Sequence, residues 1–287
     1  MNERHGGWRS VRARRRARAM EDRLWAQMSR QPVARDIETS FGPTRCYQWA
    51  SAAPPIVLLH GGLCTSVVWR PIVEALRDHD VHAIDIMGDV GRSEHRVPFT
   101  TELDYAVWLD ETLAGLGLDG VRLAGHSLGG WVSLNLAAHR PDRLASLAVF
   151  DPGGVVALDM RGLSRWGVPT MLGSFLPAPM RRRIARTKRH PMAEDALACR
   201  LLLLGTLLHR PGIPTRTLLT DEDLRDIRLP VTLVVGEHTE MFDTSAMVNR
   251  VSRLVPHSTA TVVSGAGHAL TLSHVNECVR QLTAARR

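Results

Sequence analysis

Short runs of apolar residues, each ending in small or polar ones, alternate along the chain with stretches whose apolar positions recur every three or four residues. Ile56–Leu59 is continuously apolar, as a strand buried on both faces must be, and Val81–Ile86, Leu144–Phe150, Val231–Val235 and residues 259–264 also read as strands. Between them, Trp69–Arg77, residues 101–115, the stretch that stops at Pro141 and residues 244–254 have helical spacing, with a closing helix from about 273. Such alternation predicts parallel strands joined by right-handed crossovers, hence one mostly parallel twisted sheet with helices on both faces. Residues 33–50 differ, because β-type residues broken at Gly42-Pro43 predict an antiparallel hairpin at the edge of that sheet.

The alternation breaks from 154 to 222, where six prolines, a basic run at Arg181–Arg189 and the leucine-rich stretch 201–208 stand together. This region reads as a helical lid inserted after the sixth strand, with the leucines as its core and as the roof of a cleft. The expected organisation is a basic N-terminal extension over 1–30, an α/β core formed by 31–153 and 223–287, and the lid over 154–222. The leucine run falls far short of the ~20 residues of a membrane helix, so no spanning segment is predicted.

A net charge of +7 invites a nucleic-acid reading, but its placement argues against one. Residues 1–30 hold nine arginines against three acids, or +6, which leaves the rest of the chain nearly neutral. No aromatic residues interleave the run at 181–189, so it reads as a solvated helix face rather than a base-stacking surface, and no nucleic-acid partner is expected. The basic start lacks the apolar core of an export signal and reads as a partly helical extension dispensable for catalysis, its alternative role being docking to an acidic partner or anionic surface. Cys46, Cys64, Cys199 and Cys278 are widely spaced without a C-x-x-C, the pattern of reduced thiols in a cytoplasmic protein and not of a metal site.

Candidate chemistry centres on residues 121–134, where an apolar run meets Gly125-x-Ser127-x-Gly129 and then a helical pattern. Strand, sharp turn and helix would push the Ser127 hydroxyl into a cleft, and small residues at 125 and 129 would let the two elements pass closely. Leu128 would open the helix, so its N–H is one of the unpaired donors of the first turn and can hold an oxyanion. A serine hydroxyl is nearly inert at neutral pH and needs a base. His268, in the Gly265-Ala-Gly-His turn after the last strand, would reach the same carboxyl edge of the sheet.

With Leu59-His60-Gly61-Gly62 upstream, the Ser127 turn and the His268 loop together resemble the α/β-hydrolase family over roughly residues 35–287. Trp69, the loop Gly88-Asp-Val-Gly-Arg-Ser93 and Trp131 look most similar to the bacterial carboxylesterases of the naproxen-esterase type. The resemblance implies an α/β-hydrolase fold, an oxyanion hole completed by the Gly62 N–H, and a third residue that orients the histidine. Family members usually place that acid after the penultimate strand, where this chain has Gly236-Glu-His-Thr239. Threonine carries no charge. Glu240 is adjacent, Asp243 lies three residues further on, and a second solution within the family draws the acid from the end of the preceding strand, here Asp151. Asp151 is preferred, with Glu240 and Asp243 as alternatives.

The expected activity is that of a serine hydrolase acting on a small-molecule carboxylic ester or thioester with an apolar acyl group, through Ser127, His268 and Asp151, with no metal or organic cofactor. Cleavage of a carbon–carbon bond, a lactone or a biosynthetic thioester would use the same fold. A catalytically weak binding protein is the reading that Thr239 motivates.

Overall fold

The computed structural model describes residues 5–187, 191–212 and 217–284. Lys188 and Arg189 of the basic run, and Pro214 of the proline series, lie outside the described residues. The chain begins with β1 (Gly7–Trp8) and α1 (Val11–Trp25), then the hairpin β2 (Val33–Thr39) and β3 (Gly42–Trp49). There follow β4 (Ile56–Leu59), α2 (Arg70–Ala75), β5 (Val81–Ile84), α3 (Leu103–Gly115), β6 (Val121–His126), α4 (Leu128–His139) and β7 (Leu144–Phe150). After β7, the sixth strand of the main sheet, come α5 (Met160–Gly173), α6 (Ala178–Thr187), α7 (Ala196–Leu208), β8 (His209–Arg210) and α8 (Asp221–Asp226). The chain then re-enters the sheet with β9 (Val231–Gly236), and ends with α9 (Thr244–Leu254), β10 (Ser258–Val263), α10 (Leu270–Ser273) and α11 (Val275–Thr283).

Eight strands form one sheet in the order β10-β9-β7-β6-β4-β5-β3-β2. The hairpin is antiparallel and joins β5 antiparallel, whereas every pairing from β5 through β10 is parallel. Every residue of β4, β5 and β9 is buried, which is why β4 is wholly apolar and the other two, with only His82 and Thr232 polar, show no polar alternation. The hairpin turns at Ser40-Phe41, two residues before the expected break, and Gly42 enters β3 with φ 123°, a conformation that favours glycine.

The N-terminal segment, expected as a partly helical extension dispensable for catalysis, packs as a helix into the folded body. Ser10 caps α1 by accepting the Ala13 N–H at 3.1 Å. The helix buries Ala13, Ala17, Glu21, Leu24 and Trp25, a stripe at helical spacing that leaves the arginines on the other side. Trp25 packs on Tyr47 and Trp49 of β3, with ring centroids 4.8 and 5.7 Å away. Buried Glu21 accepts from Arg92 Nε at 2.6 Å and from the Tyr47 hydroxyl at 3.1 Å. Small alanines every fourth residue admit the helix to the sheet side, a packing signal that the density of arginine conceals. β1 completes the attachment by pairing with β8, antiparallel.

A chain that starts at Gln31 is therefore expected to lose the burial of Leu24 and Trp25, roughly 1.5–3 kcal/mol each, and to leave Arg92 without its buried carboxylate. The expected outcome is a fall of several degrees or more in the thermal midpoint, followed by circular dichroism. An unchanged midpoint would show that the helix contributes nothing.

Candidate active site

Ser127 sits at the junction of β6 and α4 with φ 52° and ψ −110°. Its N–H donates to Phe150 O at 3.0 Å, and its carbonyl accepts from Gly153 N at 2.9 Å and Trp131 N at 3.1 Å. The glycines around it are required sterically. A Cβ on Gly125 would lie 2.3 Å from Gly129 O, and one on Gly129 would lie 2.2 Å from Leu59 O, both rigid backbone atoms. Among the described residues, Leu63, Ser127 and Asp151 are the non-glycine residues at positive φ. All three are held around one cavity or directly behind its wall, so the backbone strain of this fold, of order 1–3 kcal/mol per residue, collects at a single place.

Leu128 is the first residue of α4, and its N–H has no carbonyl one turn earlier within the helix. Gly62 approaches it closely, since a Cβ on Gly62 would lie 3.7 Å from Leu128 Cβ. Two devices hold the Gly62 loop. The buried His60 ring receives the Ile86 N–H on Nε2 at 2.9 Å, which makes Nδ1 the protonated nitrogen, donating to Gly61 O at 2.8 Å. Asp89 accepts the Leu63 N–H at 2.9 and 3.2 Å. That role was not visible in sequence, where the Gly88–Ser93 loop enters only as part of the family resemblance.

His268 follows β10, and its main chain is gripped from both sides. Its N–H donates to Glu240 Oε2 at 3.2 Å, and its carbonyl accepts from His126 Nε2 at 2.8 Å. His126 thus braces the histidine loop and lines the cavity. Trp166 of α5 stands edge-on to the His268 ring at 5.8 Å, and Phe242 packs at 5.7 Å.

The three candidate acids separate cleanly. Asp151 is fully buried, accepts the Gly236 N–H on Oδ1 at 3.1 Å and presents Oδ2 to His268 Nδ1 at 3.5 Å. Glu240 faces the main chain of His268, while Asp243 caps α9 by accepting the Ala246 N–H at 2.9 Å. The Thr239 hydroxyl lies 3.5 Å from His268 Nδ1, beside the Asp151 carboxylate, whose charged form it favours. Burial discourages charge on both partners: it pushes the Asp151 carboxyl up to about 7 and the His268 imidazole down to about 4. Burial also holds His126 down, at about 3. His268 is therefore neutral at pH 7, the form that can accept a proton.

The cavity over Ser127 and His268 has a volume of about 150 Å³ and is walled by Leu158, Leu163, Trp166, Met192, Leu202 and Met241, among others. Cys64 also touches it, and all four cysteines are free thiols. Leu158, Leu163, Trp166, Met192 and Leu202 come from the segment between β7 and β9, so that segment supplies one side of the cavity. Among the described residues no cluster of His, Cys, Asp and Glu has the makings of a metal site, and no helix is long and apolar enough to cross a membrane.

Residues 54–275 match the family model for the alpha/beta hydrolase fold. The chain is 31% identical over 262 residues to a Bacillus subtilis protein named uncharacterized carboxylesterase nap, covering 85% of this chain and 84% of that protein. It is 30% identical over 254 residues to carboxylesterase YbfK of the same organism, covering 85% of each. The crystal structure of naproxen esterase from Bacillus subtilis superposes with a TM-score of 0.78 at 26% identity, covering 94% of this chain and 97% of that one. Carboxylesterase CesB (YbfK) superposes with a TM-score of 0.77 at 26% identity, covering 96% and 100%. With a match that spans most of its length, and with the serine turn and histidine loop set at the carboxyl edge of a mostly parallel eight-stranded sheet, the chain belongs to the α/β-hydrolase fold family.

Proposed function

We propose that the chain is a serine carboxylesterase that transfers the acyl group of a small ester to Ser127 and then to water. The observation that carries this reading is the convergence of a strained serine, a neutral buried histidine and a buried carboxylate at the head of one apolar cavity. His268, with Nδ1–H turned to Asp151, presents Nε2 to the serine proton. As Oγ bonds to the ester carbon, the proton passes to Nε2 and the carbonyl electrons move onto oxygen, where the N–H groups of Leu128 and Gly62 receive them. Collapse of this intermediate expels the alkoxide, which leaves as an alcohol with the proton from His268. Water then repeats the sequence on the acyl-enzyme. Asp151 supplies the counter-charge for the imidazolium, which a buried site would otherwise disfavour.

The helices that bear Leu163, Trp166 and Leu202 act as the lid in this reading, since they roof the acyl pocket. A space of about 150 Å³ is the size that admits a benzene-sized group. A series of p-nitrophenyl esters is therefore expected to show the highest kcat/KM at acyl chains of about four to six carbons, falling by at least tenfold at about twelve. Absence of turnover for every activated ester, with no labelling by a fluorophosphonate, would favour a binding protein instead.

A further inference from the structure

We propose that the outer face of α5 and α6 is a docking surface for an anionic lipid membrane, so that the helix which roofs the catalytic cavity rests on the bilayer surface. The two sides of α5 are both apolar, which a surface helix of a soluble protein does not need. Leu163 and Trp166 point into the cavity, and Trp166 meets His268. On the outside, Met160 is 62% exposed, Leu172 57%, and Phe175, just beyond the helix, 75%, with Val168 between them. These positions follow the four-residue spacing of one helix face. Arg161 and Arg165 share that exposed face.

The charge is as one-sided as the apolar pattern. Residues 160–187 contain six arginines and no acidic residue. The near neutrality of the chain beyond residue 30 is a sum of opposites, because 154–222 carries +6 and the remainder of that part −5. The N-terminal segment adds another +6, and the fold brings it to the same region, with α1 packed on α7 and β1 paired to β8. The charge is thus distributed very unevenly along the chain.

A second copy of the chain does not suit this face, since a two-fold contact would set arginine against arginine. An acidic protein would have to cup a convex helix carrying large exposed apolar side chains. A bilayer surface accommodates both features: the aliphatic and aromatic side chains enter the boundary between headgroups and acyl chains while the arginines meet lipid phosphates. Apolar esters partition into that boundary, on the far side of the helix whose Leu163 and Trp166 line the cavity.

The test is co-sedimentation of the full chain with vesicles of phosphatidylcholine alone or with about one-third phosphatidylglycerol, at low and high salt. Binding is expected to the anionic vesicles at low salt, with a loss at ~0.5 M salt as the charges are screened. Arg182→Glu with Arg183→Glu is expected to weaken partitioning by more than about 25-fold, at about fivefold per arginine removed. Leu172→Ser with Phe175→Ser is expected to weaken it by at least about tenfold. Both double variants should keep wild-type turnover of a water-soluble short ester, which shows that they are folded. The proposal is overturned if the wild-type chain ignores anionic vesicles, if it binds neutral vesicles equally well, or if both variants sediment like wild type. Capture of an acidic acyl-carrier protein without vesicle binding would also overturn it.

Discussion

Replacing Ser127 by alanine is expected to lower kcat for p-nitrophenyl butyrate by on the order of 10⁶-fold, because the acyl-enzyme forms on its oxygen and burial pushes the Cys64 thiol, which also touches the cavity, up to about 12, so it stays protonated. The change removes one oxygen and keeps the Cβ, so the fold should be unaffected and the effect confined to chemistry. His126 is the nearest rival, but its Nε2 is committed to the His268 carbonyl at 2.8 Å, and burial holds it neutral. Labelling by a fluorophosphonate should disappear in parallel, and a peptide map of the labelled wild-type chain should place the adduct on the 121–134 segment. Retained labelling in Ser127→Ala would remove the serine from the mechanism.

The second large effect is expected at Asp151. Asp151→Asn preserves shape but withdraws the counter-charge 3.5 Å from His268 Nδ1 and allows the amide to favour the wrong tautomer, so kcat should fall by on the order of 10⁴-fold. Glu240→Gln keeps an oxygen for the His268 N–H and should cost less than about tenfold. The pH profile separates a catalytic loss from a structural one. Activity requires Asp151 ionised and His268 neutral, with its one proton on Nδ1. The carboxyl raised to about 7 binds a proton as pH falls through that value, so wild-type kcat/KM should rise with pH through about 7 and then level. Without that carboxyl only His268 titrates, at about 4, and the residual activity of Asp151→Asn should stay flat down to about pH 5. A wild-type limb that remains in place in Asp151→Asn would remove Asp151 from the titrating pair. Exchange of the two phenotypes would assign the role to Glu240.

Much of the architecture was legible because burial on both faces of a parallel sheet leaves a continuous apolar run, and Ile56–Leu59 and Val231–Val235 could hardly be anything else. The serine turn was legible for a related reason: Gly125 and Gly129 are demanded by backbone atoms 2.2–2.3 Å from where a Cβ would be, so the constraint is written in the chain itself. The packing of the N-terminal helix was not legible, because composition reports charge while packing is decided by the alanines, Glu21 and Trp25 on the other side. The choice among Asp151, Glu240 and Asp243 could not be made from spacing, because all three lie in loops that end at the same sheet edge. Only the tertiary structure turns one carboxylate to the imidazole ring, a second to its main chain and a third to a helix cap. The reason is that loop direction is set by long-range contacts, such as the Gly236 N–H that fixes Asp151 across 85 residues, and such contacts leave no local signature in the sequence.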